Sequence, residues 1–376
     1  MLRVAMVSER PASDVVDVDG VGSTCRGDVE LARALGAHDV EVRLYVRRDD
    51  EAVRDQIRPG QDVMVTPLPA GPARRLPADE FASHLREFTD GLAASLRTWL
   101  PDVIHARSWR TGLAALLGRR GTSVPLVHTF HGAELELERA VCQDADHVLA
   151  SCTAQLDDLS RIGTPRSKVT VVPSGVDLDM FRPDVPASLP STSMRLLCVG
   201  RILSQHRFDL VIPVLRVLPG VELVIAGGPP VERLADDPEA ARLVDVAKRW
   251  GVADRVRLLG QVPYAGMPAL FTSADLVVCA PRYATAGQIS LEAAACGTPV
   301  VATAVGGLID TVLDGVTGIL VSSDRPASLT QAIRKLRADP MRLDGYALAA
   351  RERAQARHSY PRLAQETAGV YASVAG

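Results

Sequence analysis

The residues best suited to chemistry lie in one stretch, Ala280–Val321 (APRYATAGQISLEAAACGTPVVATAVGGLIDTVLDGVTGILV). Its pattern is strand, loop, helix, strand, Gly-Gly turn, helix and a further strand. The loop ends at Gly287, where the helix begins. A helix N-terminus presents unpaired N–H groups and a partial positive charge, which suits a diphosphate. Gly287 has no side chain to hold a phosphate off the backbone. Glu292 lies more than a turn inside the helix, too deep to cap it, where it could accept from a ribose diol beside the phosphates. A turn glycine and a solvated helix glutamate account for the same letters, so these two residues do not decide by themselves. Lysine is confined to Lys168, Lys248 and Lys335, so a phosphate site here must be built from Arg, His and backbone amides.

The elements that would hold these residues alternate along the chain. Arg3–Ser8, Val40–Val46, Asp102–His105, Pro125–Thr129, His147–Ser151 and Val169–Val172 have the apolar runs of buried strands. Between them the spacing predicts helices over Gly27–Leu35, Phe81–Trp99 (stopped by Pro101) and Thr111–Gly118. A second set follows. Strands are expected at Arg195–Val199, Val221–Ala226, Val256–Leu259, Leu276–Cys279 and Val300–Ala302, and helices at Leu210–Leu218, Asp237–Trp250 and Ile289–Ala295. Strands alternating with helices imply parallel sheets with crossover helices. The Pro/Ser-rich segment Arg182–Ser193 is the expected linker. The expected domains are therefore 1–185 and 186–358, both doubly wound. A terminal amphipathic helix over 359–376 either crosses back to the first domain or lies on the second. Such folds bind ligands at the carboxyl ends of their strands, so the site is expected in the cleft between the domains.

The composition narrows the function. Of 376 residues, 47% are apolar and 23% charged, enough for two ordinary cores. A net charge of -3 gives no reason to expect nucleic acid or an anionic membrane as partner. No apolar run approaches the roughly 20 residues that span a bilayer, and MLRVAMVSERP lacks a signal-peptide pattern, so a cytoplasmic protein is expected. The six cysteines are scattered without CxxC spacing and argue against a zinc or redox motif. Neither G-x-G-x-x-G after the first strand nor G-x-x-x-x-G-K-[ST] is present, which disfavours nicotinamide dehydrogenases and P-loop enzymes.

Taken together, the blocks resemble the family-4 type of retaining GT-B glycosyltransferases. LEAAACGTPVVATAVGG and DGVTGILV fit the family's signature region, with Glu292 at the second of two glutamate positions. Ala284 occupies the first, a departure. Val199-Gly200-Arg201 matches the family's Gly-Arg, and Arg201 by that resemblance holds the donor diphosphate with a planar, permanently charged fork. His206 and Arg207 stand where the family has Lys-Gly. Gly22 and Ser23 fall at a phosphate-near loop, with Ser for the second glycine. His131 in VHTFHG falls where the family has a histidine near the donor sugar, and Val262 in GQVPY where backbone touches the base. The likeness is greatest to the mycothiol-pathway and sucrose-phosphate-synthase-like branch.

The resemblance implies a retaining transferase that moves a sugar from a nucleoside-diphosphate sugar to a small-molecule acceptor, without metal or resident cofactor. GDP and UDP are the expected nucleotides. The implied catalytic residues are His131, Arg201 and His206. Those binding the donor are Gly22, Ser23, Arg201, His206, Arg207, Val262, Ala284, Gly287, Gln288, Ile289 and Glu292. Loss of the first glutamate points to an unusual donor sugar, as in natural-product (antibiotic) or low-molecular-weight thiol metabolism. A non-catalytic sugar-nucleotide binder and a GT-B epimerase stay open as alternatives, as does a homodimer.

Overall fold

A computed structural model describes residues 1–16, 23–58, 63–132, 134–190, 194–323 and 325–376. The chain divides into two compact units. One comprises Met1–Gly175 with Tyr360–Gly376, the other Val176–Ser359. The first unit runs β1 (Leu2–Pro11), α1 (Ala12–Val16), α2 (Ser23–Gly36), β2 (Val40–Arg47), β3 (Met64–Leu68), α3 (Ala78–Ser83), α4 (Leu85–Trp99), β4 (Val103–Ala106), α5 (Trp109–Gly118), β5 (Leu126–Phe130), α6 (Leu135–Asp144), β6 (His147–Ala150), α7 (Gln155–Arg161) and β7 (Val169–Val171). The second runs β8 (Met194–Val199), β9 (Val221–Ala226), α8 (Pro238–Arg249), β10 (Val256–Gly260), α9 (Met267–Thr272), β11 (Leu276–Cys279), α10 (Gln288–Ala295), β12 (Val300–Thr303), α11 (Leu308–Thr311), β13 (Gly318–Val321), α12 (Pro326–Arg337) and α13 (Pro340–His358). The last helix, α14 (Tyr360–Ala375), belongs to the first unit.

Each unit is built on a parallel sheet, ordered β3-β2-β1-β4-β5-β6-β7 in the first and β10-β9-β8-β11-β12-β13 in the second. Strands covered by helices on both faces must be apolar throughout, and Val4–Val7 and Leu196–Cys198 are fully buried. In each sheet the chain leaves one central strand toward one edge and later returns beside it to build toward the other. These reversals fall between β1 and β4 and between β8 and β11. Diverging loops leave a crevice at such a point, where this fold class binds ligands.

Helix α14 returns because one face is apolar. Leu363, Ala364, Thr367, Val370 and Tyr371 are buried at helical spacing, and the apolar ones join a core with Val4, Met6, Leu35 and Leu44. Of the two placements the sequence left open, the crossing back is the one observed.

The segment expected as a linker is instead fastened to the second unit. Ser188 N donates to Ala269 O (2.9 Å), and the buried Arg195 guanidinium donates to the carbonyls of Leu189 and Pro190. The division falls at Gly175/Val176, and residues 176–185, expected in the first domain, lie in the second unit. The single helix expected over Phe81–Trp99 is broken at His84, whose ψ of 9° is not helical. The helix expected over Leu210–Leu218 consists of two short 3-10 turns, Phe208–Leu210 and Ile212–Val217, with Pro213 near the start of the second. Proline removes an amide there, which disfavours a continuous α-helix through it. No described helix is long and apolar enough to cross a membrane.

Candidate active site

In the second unit the two loops at the switch point are joined. After β8 the backbone turns at Gly200 (φ 147°) and Arg201 emerges exposed, its guanidinium without a hydrogen-bond or salt-bridge partner among the described residues. The short turn Ser204–His206 follows. Its Gln205 carbonyl accepts from Arg282 N (2.9 Å) in the loop after β11. His206 is half-buried against Gly200 and stacks on Phe208 (centroids 5.7 Å apart, 15° between planes). Burial, then the neighbouring Arg201 charge, hold its pKa below the ordinary 6.5, so the ring is neutral at neutral pH without an anion beside it. Arg207 sits in the left-handed region (φ 52°), and its guanidinium donates to Ser323 O (3.0 Å).

The loop after β11 is moulded by a second loop. Gly287, at φ 66°, is the N-cap of α10, and a Cβ there would stand 2.7 Å from Thr311 Oγ1. Gly307 N donates to Ala284 O (2.9 Å), and a Cβ on Gly306, at φ 48°, would drive into that same carbonyl. The Gly-Gly turn is thus the bed on which the 284–287 segment lies. Behind it, Ser290–Ala295 are all buried, and no side chain caps the N-terminus of α10. A helix end that is half-exposed and lacks a protein cap offers its amides to an anion. Ala284, Gly287, Gln288 and Ile289 are half-buried along this edge.

Glu292 is 1% exposed. Its Oε1 accepts from Tyr264 Oη (2.9 Å) and Gln288 Nε2 (3.2 Å). Burial pushes its pKa up to about 7 against the pull of those two donors. Val262, half-buried just after β10, lies two residues before Tyr264. Of the second-unit residues expected at the site, the structure brings Arg201 and His206 to the loop paired with the 280s. It sets Gln288 and Glu292 on one helix, α10, and brings to Glu292 the hydroxyl of Tyr264, which the sequence did not single out. An aromatic two residues beyond Val262 was the available signal. Gly306 and Gly307 were legible as a turn but not as the support of Ala284.

In the first unit His131 follows β5. Its Nε2 donates to Arg107 O (2.6 Å), which fixes the proton of the neutral ring on that nitrogen, since a carbonyl only accepts. Its main-chain N donates to Glu138 Oε1 (3.1 Å), as does Gly132 N (3.2 Å), and its carbonyl accepts from Gln155 Nε2 (3.3 Å). Burial, then the Arg107 charge, lower the His131 pKa. Gly22 lies outside the described residues, and Ser23 opens α2. His128, Glu138 and Cys142 form the one group of metal-ligating types close together among the described residues, all buried. Glu138 is already engaged there by the two amides and by His128 Nε2 at 3.0 Å.

Residues 28–180 match the model described as Glycosyltransferase Family 4, and residues 184–357 match Glycosyl transferases group 1. The chain is 32% identical to the D-inositol 3-phosphate glycosyltransferase of Xylanimonas cellulosilytica, covering 98% of this chain and 96% of that protein. It is also 32% identical to the same-named protein of Mycobacterium tuberculosis, covering 82% of this chain and 69% of the relative. Its fold superposes on sucrose-phosphate synthase from Thermosynechococcus elongatus with a TM-score of 0.86 and 25% identity, covering 100% and 99% of the two chains. With two Rossmann-like parallel-sheet units and both family models matched in order, the chain belongs to the family-4, group-1 glycosyltransferases of GT-B fold.

Proposed function

We propose that this glycosyltransferase is retaining and moves a sugar from a nucleoside-diphosphate sugar to a small-molecule acceptor. One observation carries the reading. The N-terminus of α10, entered through Gly287 and without a side-chain cap, lies at the second unit's switch point, where the loop bearing the Arg201 guanidinium, unpartnered among the described residues, is bonded to the loop leading to Gly287. Both are suited to an anionic leaving group.

The chemistry follows from that grip. The bond from the anomeric carbon to the phosphate oxygen breaks, and the diphosphate leaves with the electron pair. The acceptor oxygen or sulfur bonds to the anomeric carbon on the same face, and its proton passes to the departing phosphate oxygen. No protein nucleophile is required. The enzyme's task is to stabilise charge as it grows on the diphosphate. Arg201 and the amides at Gly287–Ile289 do this. His206 gains a proton as the anion arrives, and Arg207 adds its field nearby. Glu292 accepts from the ribose, Val262 offers backbone to the base, and His131 contacts the transferred sugar. Ala284 cannot accept from a sugar hydroxyl, which favours a donor other than the common hexoses. The named relatives act on D-inositol 3-phosphate, so a polyhydroxylated acceptor is the first class to try.

The test is direct. GDP, UDP, dTDP and ADP are screened by thermal shift, and matching donor sugars are incubated with polyol, amine and thiol acceptors. The expected result is stabilisation by one or two nucleotides and acceptor-dependent release of nucleoside diphosphate. The reading is lost if a stabilising nucleotide's sugar donors release nothing with any acceptor, or if the sugar is altered without one.

A further inference from the structure

We propose that Tyr371, on the C-terminal helix, and Arg107 are positioning residues for His131, acting through the buried chain Tyr371–His105–Thr129–Arg107. This rests on the role given to His131 above.

The chain is continuous. Tyr371 Oη lies 2.6 Å from His105 Nδ1, and His105 Nε2 lies 2.7 Å from Thr129 Oγ1. Thr129 Oγ1 accepts from Arg107 Nη1 (3.0 Å), and the Arg107 carbonyl takes the His131 Nε2 proton (2.6 Å). Either tautomer of neutral His105 completes both of its bonds, because the hydroxyl at each side can donate or accept. Arg107 is held on its other side as well. Its Nε donates to the buried Asp28 (2.7 Å), which also accepts from Ser8 Oγ (3.0 Å).

Packing does not account for this. The apolar face of α14 already covers the sheet, and a phenylalanine would fill the same space edge-on to His105. Instead a hydroxyl is carried into the core of a fully buried helix position and placed on a fully buried imidazole. Burying two polar groups is unfavourable unless they are paired, and the pairing leads to the residue that fixes the His131 ring. The charged or titratable groups that face His131 include Arg107 from the loop after β4, His105 from β4, His128 from β5 and Glu138 from α6.

The experiment uses the full chain with labelled histidine, following the His131 resonance through a pH titration alongside steady-state kinetics. In Tyr371→Phe, the expected result is a fall in kcat of roughly fivefold, the equivalent of one ordinary hydrogen bond, with donor KM unchanged and the His131 resonance shifted. In Arg107→Gln, loss of the neighbouring cation should move the His131 titration to higher pH. In Arg107→Lys, which keeps the charge but not the planar fork, the titration should stay near that of the parent while kcat falls. A folded Tyr371→Phe protein with parental kcat and an unmoved His131 resonance would overturn the inference. So would an Arg107→Gln protein whose His131 titrates as before. Full activity in His131→Ala would sink the functional role of His131 itself, and with it the kinetic half of this inference. The titrations would still report whether the chain holds the ring.

Discussion

The two units share a topology but use their polar groups in opposite ways. In the first, most of the groups at the strand ends are spent on one another, His128 Nδ1 being left without a partner among the described residues. Arg107 is bound to Asp28 and Thr129, His105 to Thr129 and Tyr371, and Glu138 to two amides and His128. In the second, the corresponding edge keeps an exposed arginine without a hydrogen-bond partner among the described residues and a helix end without a side-chain cap. A satisfied network holds geometry, whereas an unsatisfied one waits for a ligand. The first unit is built to place a residue, the second to receive an anion.

The strongest way to break this contrast is to remove one arginine from each side. Arg201→Ala should lower kcat/KM for the donor by about 10²–10³-fold, the usual cost of losing a donor aimed at developing charge. Its melting point should not move, because that side chain is exposed and bonds no other among the described residues. Arg107→Ala should instead destabilise by about 3 kcal/mol, since buried Asp28 would lose its charged partner and keep only the Ser8 hydroxyl. Denaturant titration of both variants decides, and equal stability losses would erase the distinction.

Gly306→Ala comes next. A methyl there meets the Ala284 carbonyl, so the 284–287 loop must move, and a misplaced anion site should lose about 10²-fold in turnover. Parental donor kinetics would show that the Gly-Gly turn does not shape the site.

Acid separates Glu292 from the histidines by sign. Glu292 has its pKa raised to about 7, so the folded protein holds a proton there that the unfolded chain releases above its ordinary value of 4.5. Its contribution, at most about 3 kcal/mol, is complete below 4.5 and is lost as pH rises through 7. His105 and His131 have lowered values. Their contribution is complete above the ordinary 6.5 and is lost as pH falls below it, because the unfolded chain then binds protons the native one refuses. Between about 4.5 and 6.5 the two sites pull in opposite directions. Half-exposed His206 in the second unit works with the other histidines. The check is Glu292→Gln, which should remove the loss of stability between pH 5 and 7 and leave the acid-side loss in place. The same ionisation should make the donor KM rise as pH falls below about 7, since a protonated Glu292 is a poorer acceptor for the ribose. A flat KM across that range would detach Glu292 from the donor.

The smallest expected effect is a gain. Ala284→Glu should improve use of a common hexose donor by roughly fivefold, one added hydrogen bond, measured as kcat/KM with UDP-glucose. No change would mean that position 284 does not face the sugar.

Much of the scaffold could be read in advance, because buried parallel strands must be continuous apolar runs and their helices must be striped. What escaped was local. Met64–Leu68 forms an edge strand despite containing Pro67, a residue that argues against strands in general but is tolerated at an edge. His84 ends one helix and begins the next within a single amphipathic stripe, and periodicity does not register a one-residue break. At the site, letters and spacing singled out Gly287 and Glu292, and the family resemblance added Arg201, but neither could tell that Glu292 is buried under Tyr264. Nor could they join Tyr371 to His105, which stand far apart in the chain and meet only through the return of α14.

That return has an outcome for how the protein is made. The chain leaves the first unit at Gly175 and re-enters it at Tyr360, and Val176 is bridged to Ser359 at the point of exit and re-entry. The second unit is one uninterrupted segment that can fold as soon as it has emerged from the ribosome. The first is begun earlier yet finished later, since the core that α1 and α2 build over Val4, Met6 and Leu44 is completed only when α14 arrives. A nascent chain therefore carries a core still missing the apolar face of α14 through the synthesis of the entire second unit, and that interval is when a chaperone would have something to hold.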